Sequence, residues 1–261
     1  MLHGVKKLRG CRVRASDGEI GEVREVYFDD ERWVVRYLIV DTGGWLGGRK
    51  VLISPYAVRH VDWDRRTVNV DLTRQQVRES PGIDTDKPVS RQQEAELHRY
   101  YGYPAYWPYT TLWAWGAVPV AMPPDPELRE QVLAQDEDAS LEREHESGDS
   151  HLRSSAEVTG YHIQATDEPV GHVEDFLFDD ESWAIRYFAI DTRNWLPGRH
   201  VLIATQWIDE VSWPERTVHV GLTRRQIEES PEYDPSNPPS RAYEADLHRH
   251  YRQPGYWQER R

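Results

Sequence analysis

Glu94 and His98 stand four residues apart, and Glu244 and His248 repeat them. On a helix that spacing places a carboxylate and an imidazole on one face, the geometry of two metal ligands. A metal site needs three or four ligands. His250 adds a third nearby in the second pair, where the first has Tyr100. The alternative is a packing pair in which the carboxylate holds the imidazole.

Three other places could do chemistry. Asp41 and Asp191 each end an apolar run, as an acid-base group would, or as a carboxylate bonding loop amides or an arginine such as Arg49 or Arg199. Cys11 is the single cysteine and faces Tyr161 in the repeat, so a nucleophile lost from one copy competes with a buried thiol. "GGWLGG" (Gly43 to Gly48) is glycine-rich but leads into a strand, without the helix N-terminus that favours phosphate. Its counterpart reads "RNWLPG". Trp45 and Trp195 survive in both and are expected to fold back over a barrel mouth. No G-x-S-x-G, Walker A, H-E-x-x-H or C-x-x-C sequence occurs. The expectation is a protein that is not an enzyme and takes no cofactor, with a metal-dependent enzyme as the alternative of another class.

The chain is a duplication with an offset of 150. Phe28-Asp29-Asp30-Glu31 returns as Phe178-Asp179-Asp180-Glu181. Trp33, Arg36, Tyr37, Asp41, Thr42, Trp45 and Arg49 all find identical partners, as do Val51-Leu52-Ile53 and Leu72-Thr73-Arg74. The register runs unbroken to Trp107 and Trp257, so each copy is a whole domain. Three segments follow: a first repeat over 1–108, a Trp/Pro-rich then acidic linker over 109–153, partly disordered by composition, and a second repeat over 154–261.

Within a copy, short strands follow one another: Leu8 to Ala15, Ile20 to Phe28, Trp33 to Val40, Val51 to Ile53, Ala57 to Trp63 and Thr67 to Leu72. Turn dipeptides such as Asp17-Gly18 separate them. Lys6, Lys7, Arg9, Arg12 and Arg14 read as the solvent face of an edge strand. Two helices follow. Thr73 with Gln76, and Ser90 with Gln93, have capping-box spacing; Tyr243 replaces the glutamine in the second copy, leaving only the Ser240 cap. Glu94, Leu97, His98 and Tyr101 then form one stripe.

These features resemble a PRC-barrel domain, the small barrel of the photosynthetic reaction-centre H subunit's cytoplasmic part. A related barrel ends a ribosome maturation factor. The residues that carry the likeness are Gly21, Asp29-Asp30, Trp33, Arg36-Tyr37, Asp41 and Val51-Leu52-Ile53, with their counterparts, over roughly 5–75 and 155–225. The resemblance implies a mainly β fold of two small antiparallel barrels, each followed by two short helices, in a pseudo-two-fold tandem repeat. It also implies a noncatalytic interaction domain, with no catalytic residues to carry over.

A formal charge of −13 weighs against a nucleic-acid binder. One cysteine gives no disulfide framework, and the N-terminus reads without a signal peptide, so a bacterial cytoplasmic protein is expected. The expected partner is an unidentified protein or a second copy of the chain. Candidate contact residues are Trp45, Trp195, Tyr101, Tyr106, Trp107, Trp113, Trp115, Tyr251, Tyr256 and Trp257. From Tyr100 to Pro124 there is no charge, but prolines interrupt the stretch. It is read as no membrane span, and as an alternative docking surface for a peripheral subunit of a membrane or photosynthetic complex.

Overall fold

The computed structural model describes residues 1–82, 89–104, 106, 151–192 and 199–258. The chain opens with β1 (Leu2–Gly4) and a single helical turn, α1 (Val5–Leu8). Then come β2 (Arg12–Ala15), β3 (Gly18–Asp29), β4 (Val34–Asp41), β5 (Lys50–Ile53), β6 (Val58–Asp62) and β7 (Thr67–Val70). Helices α2 (Arg74–Glu79) and α3 (Arg91–Tyr101) follow. The second repeat supplies β8 (Leu152–Ser154), α4 (Ser155–Val158), β9 (His162–Gln164), β10 (Pro169–Asp179), β11 (Ile185–Asp191), β12 (His200–Ala204), β13 (Ile208–Ser212) and β14 (Thr217–Val220). It ends with α5 (Arg224–Glu228) and α6 (Arg241–Tyr251).

The fold is mainly β, with two seven-stranded sheets. One runs β5-β4-β3-β2-β7-β6, with β8 beside β3; the other runs β12-β11-β10-β9-β14-β13, with β1 beside β10. Most pairs are antiparallel, as expected, but β2 pairs with β7 and β9 with β14 in parallel. Among the described residues the pairing path does not close into a ring.

The two compact units do not coincide with the two halves of the sequence. One comprises Leu8–Ser154; the other comprises Met1–Lys7 together with Ser155–Arg261. In the first, Leu152, Arg153 and Ser154 lie opposite Asp29, Phe28 and Tyr27. In the second, Leu2, His3 and Gly4 lie opposite Asp179, Phe178 and Leu177. With the offset of 150 these two registers are the same, so each sheet is completed by the leading strand of the other repeat.

Local sequence explains the strands. β2 alternates, with Val13 and Ala15 buried and Arg12 and Arg14 exposed. β4 is a nearly continuous apolar run, buried from Val34 to Val40 except at Arg36, as a strand covered on both faces must be. The expected strand from Leu8 begins instead at Arg12. Val5 and Leu8 are buried and Lys6 and Lys7 exposed, an i, i+3 pattern that a helical turn satisfies, so these lysines belong to α1 rather than to an edge strand.

The β3–β4 turn is tight. Trp33 takes a left-handed backbone at φ 56 and Trp183 repeats it at φ 59. The strain is held by packing: Trp33 stacks on Phe28 at 5.6 Å and its amide donates to Asp29 O at 2.8 Å. The Asp29 carboxylate accepts from the amides of Glu31 and Arg32, and from Arg36 Nη2 at 2.9 Å.

Gly21 lets β3 close on the end of β4. A Cβ there would overlap the carbonyl of Asp41, and at Gly171 the carbonyl of Asp191. By contrast nothing lies within 4 Å of a Cβ at Gly44. Gly21→Ala should therefore lower stability by about 1–3 kcal/mol, whereas Gly44→Ala should leave the urea midpoint unchanged. Equal midpoints for the two variants would show that the close approach is not constraining.

Candidate functional site

Helix α3 begins at Ser90, whose hydroxyl accepts from Gln93 N at 3.3 Å while Gln93 Oε1 accepts from Ser90 N at 3.0 Å. It ends at Gly102 in the left-handed region. Between these stops the stripe read from the sequence is buried: Glu94, Leu97 and His98 are at most 2 % exposed, and Tyr101 is half-buried. In the second repeat only the Ser240 cap is present, as expected, and the turn after α6 is closed by Arg252 at φ 56.

The carboxylate and the imidazole do not bond each other. Glu94 Oε2 accepts from Arg91 Nη1 at 2.9 Å, and Glu94 Oε1 accepts from the hydroxyl of Tyr106. His98 Nδ1 lies 2.8 Å from Pro104 O, and a carbonyl can only accept, so Nδ1 carries the proton. Nε2 of the neutral ring then accepts from Tyr37 Oη, 2.8 Å away on β4. The expected pairing gives way because burial demands a partner for every polar atom. Arg91 and the Tyr106 hydroxyl take one carboxylate oxygen each, and the imidazole is left to Tyr37 and Pro104.

The electrostatics follow. Burial raises the Glu94 carboxyl above the usual range, against the opposing pull of Arg91 and the tyrosine hydroxyls. Burial pushes His98 down to about 4, keeping it neutral. It also holds Tyr37 and Tyr106 well above the usual phenol value, with the Glu94 charge adding to the effect.

The second repeat rebuilds the arrangement. His248 Nδ1 lies 2.9 Å from Pro254 O and Nε2 lies 2.9 Å from Tyr187 Oη. Glu244 meets Tyr256 Oη at 2.8 Å, Tyr187 Oη at 3.1 Å and Arg241 Nη1 at 3.2 Å. Arg91 is 10 % exposed, Arg241 57 %, so the second cluster opens toward solvent. His250 turns away, its Nε2 at 2.7 Å from the carbonyl of Gln226. Among the described residues no group of three or more His, Cys, Asp or Glu is placed to hold a metal ion.

A second feature lies at the end of β4 in the first repeat. The Gly43–Leu46 turn folds Trp45 back so that its indole N–H donates to Ile20 O. Asp41 accepts from Gly43 N at 2.9 Å and from Arg24 Nε at 3.3 Å; the Gly43 amide, above all, holds its carboxyl below the usual range. Arg49, the suggested partner of Asp41, instead donates to the carbonyls of Arg78, Ser80 and Pro81, because Asp41 is taken up by Arg24 and the loop. A cleft of ≈ 440 Å³ results, lined by Ile20, Glu22, Arg24, Asp41, Trp45 and Arg74 among others.

Arg74 lies over the Trp45 ring at 4.3 Å, and Arg78 at 5.8 Å. The second repeat treats the equivalent arginine differently. Arg224 pairs with Glu168 and, at 3.0 Å, with Glu228. The first repeat has Gly18 and Arg78 at those two places, so both carboxylates are missing. Arg74 Nε, though buried, meets no acceptor among the described residues.

Among the expected contact residues, Tyr106 and Tyr251 are 4 % exposed and serve the core. Tyr256 and Trp257 are half-buried, with Trp257 4.9 Å from His248 and under Arg241 at 4.5 Å. Trp107, Trp113, Trp115 and Trp195 lie outside the described residues. Cys11 is fully buried, and burial raises its thiol above the usual value. Sequence reasoning missed Tyr37, Tyr187, Arg91 and Arg241 as members of the clusters. Their identity between the repeats was the available signal.

Two outcomes follow for the first cluster. Glu94→Ala removes the carboxylate that Arg91 and Tyr106 share and should cost about 3–5 kcal/mol, with Glu94→Gln costing less; equal losses would contradict a buried charge pair. For His98, unfolded near its ordinary 6.5 and folded near 4, the unfolded chain alone takes the proton between those values. Stability from His98 is thus whole above pH 6.5 and falls by up to about 3 kcal/mol toward pH 4. The raised Glu94 runs the other way, its contribution being lost as pH rises. Replacing only the imidazole separates the two: the stability difference between wild type and His98→Gln should shrink on going from pH 7 to pH 4 in urea titrations. A constant difference would rule out a neutral buried imidazole.

Comparison with known proteins adds one match. No curated protein matches the chain. A family model does so over the whole β1–β7 region and most of α2, the region that carries the cleft and Tyr37. Residues 2–77 match the model of the PRC-barrel domain.

Proposed function

We propose that the protein is a noncatalytic interaction or scaffold protein built from two PRC-type domains, and that it recognises a protein partner at the Trp45 cleft of the first repeat. The observation that carries the reading is the divergence at one arginine. In the second repeat Arg224 is neutralised by Glu168 and Glu228; in the first, Arg74 and Arg78 stack on an aromatic ring beside a cleft. A guanidinium over an indole face spends its π surface on the ring and leaves its N–H donors for a carboxylate. The partner chemistry this suits is an acidic side chain, with Trp45 as the apolar floor.

The buried Glu–His clusters support a structural rather than a catalytic use. Their protons and lone pairs are consumed within the helix-to-sheet contact. The second repeat, whose topology is the same, is read as a second PRC-type domain that retains the fold and not the cleft chemistry.

Affinity purification from the native host checks this. A protein recovered with the wild type should be lost with Trp45→Ala or Arg74→Glu, and kept with Arg224→Glu. Loss with all three variants alike, or with none, would remove the cleft as the recognition site.

A further inference from the structure

The two leading strands carry an inference beyond partner recognition at the cleft. β9 covers the edge of β10 from Pro169 to His172, and β1 covers its far end from Leu177 to Asp179. β2 and β8 divide β3 in the same way, at Gly18–Glu22 and Tyr27–Asp29. Without the short strand, each long strand would end in unpaired amides and carbonyls on an edge that accepts another chain.

The fit is specific on both sides. Asp180 N donates to Met1 O at 3.0 Å, and Asp30 N donates to His151 O at 3.0 Å. Asp180 faces the N-terminal amine and His3 Nε2, the latter at 3.2 Å; Asp30 faces His151 Nδ1 at 3.1 Å and Arg153 Nε at 2.6 Å. Leu2 and Leu152 are both buried, and Leu152 packs in the core with Tyr37, Leu97 and Tyr106. Each strand therefore brings an apolar anchor and a cationic end to an acceptor that offers a pocket and an aspartate. The strand always comes from the other repeat in sequence. Its acceptor recognises residue chemistry, and that chemistry is present on every copy of the chain.

We propose that the edges at Tyr27–Asp29 and Leu177–Asp179 are strand-acceptor sites whose further partner is a second copy of this chain, joined by donation of β1 or β8 between chains. Strand donation within the chain and between chains uses the same hydrogen bonds, so the choice is set by concentration. A strand carried on the same chain as its acceptor competes at an effective concentration on the order of millimolar. Between-chain donation should rise about tenfold for each tenfold increase in chain concentration below that level.

The test uses the full chain with Cys11→Ala. Asp180 N bonds to Met1 O, so Leu2 and Asp179 form the closer, non-hydrogen-bonded pair, suited to a disulfide. Chains carrying Leu2→Cys and chains carrying Asp179→Cys are mixed, unfolded in denaturant, refolded together at several concentrations and oxidised. A chain carrying both substitutions is refolded dilute. The expected result is a disulfide-linked heterodimer that increases with concentration, and an internally closed monomer from the double variant. A control pairing Leu2→Cys with Arg65→Cys chains should give no such rise. Closure of the double variant without any concentration-dependent heterodimer would overturn donation between chains. Failure of the double variant to close would overturn the strand register itself. Neither outcome bears on the Trp45 cleft.

Discussion

A buried carboxylate is the constraint around which each repeat's tail is organised. Glu94 stays buried only because Arg91 sits one turn before it and the hydroxyl of Tyr106 comes down from the chain beyond the helix. Those two demands fix the phase of α3 and the path of the segment after it. His98 applies a third, tying Tyr37 of the sheet to the Pro104 carbonyl. A polar group in a core is costly unless every bond is made, and a set that is fully made tolerates little displacement. The helix is therefore held against β4 by direction as well as by apolar area.

The two repeats solve this problem equally and diverge outside it. The Tyr–His–Pro relay is the same in both, while the arginine that neutralises the glutamate is buried in one and mostly exposed in the other. At the end of the central strand the difference is larger. One arginine is locked between two carboxylates, its counterpart over a tryptophan. Duplication lets one copy keep the scaffold chemistry while the other changes its surface.

Much of this was readable from residue order. The central strand, the capping residues, the stripe on α3 and the folded-back Trp45 all follow from periodicity and local chemistry. The partners of the stripe were not readable, because Tyr37 and Glu94 are distant in sequence and only packing brings them together. The same holds for Arg49, whose bonds go to three carbonyls near the end of α2 rather than to an acid. Parallel pairing of β2 with β7 escaped as well, since neither strand's pattern records the direction of its neighbour. The exchanged strands were the hardest. Leu2-His3-Gly4 is too short to carry a period, and the two leading segments share little beyond Leu2 and Leu152, so nothing in them signals which sheet each will join.

That exchange also sets an order on synthesis. The first unit cannot be finished until Ser154 has left the ribosome, because its last strand is encoded after the linker. The second depends on a segment made before the first unit. Its strand Leu2–Gly4 emerges long before its partner and has no sheet to join until β10 appears, more than 160 residues later by position. At typical elongation rates of roughly 5–20 residues per second, the leading strand waits for about ten seconds or longer. During that interval the nascent chain holds an uncommitted strand beside an incomplete sheet of its own, and neighbouring ribosomes on one message hold the same pair.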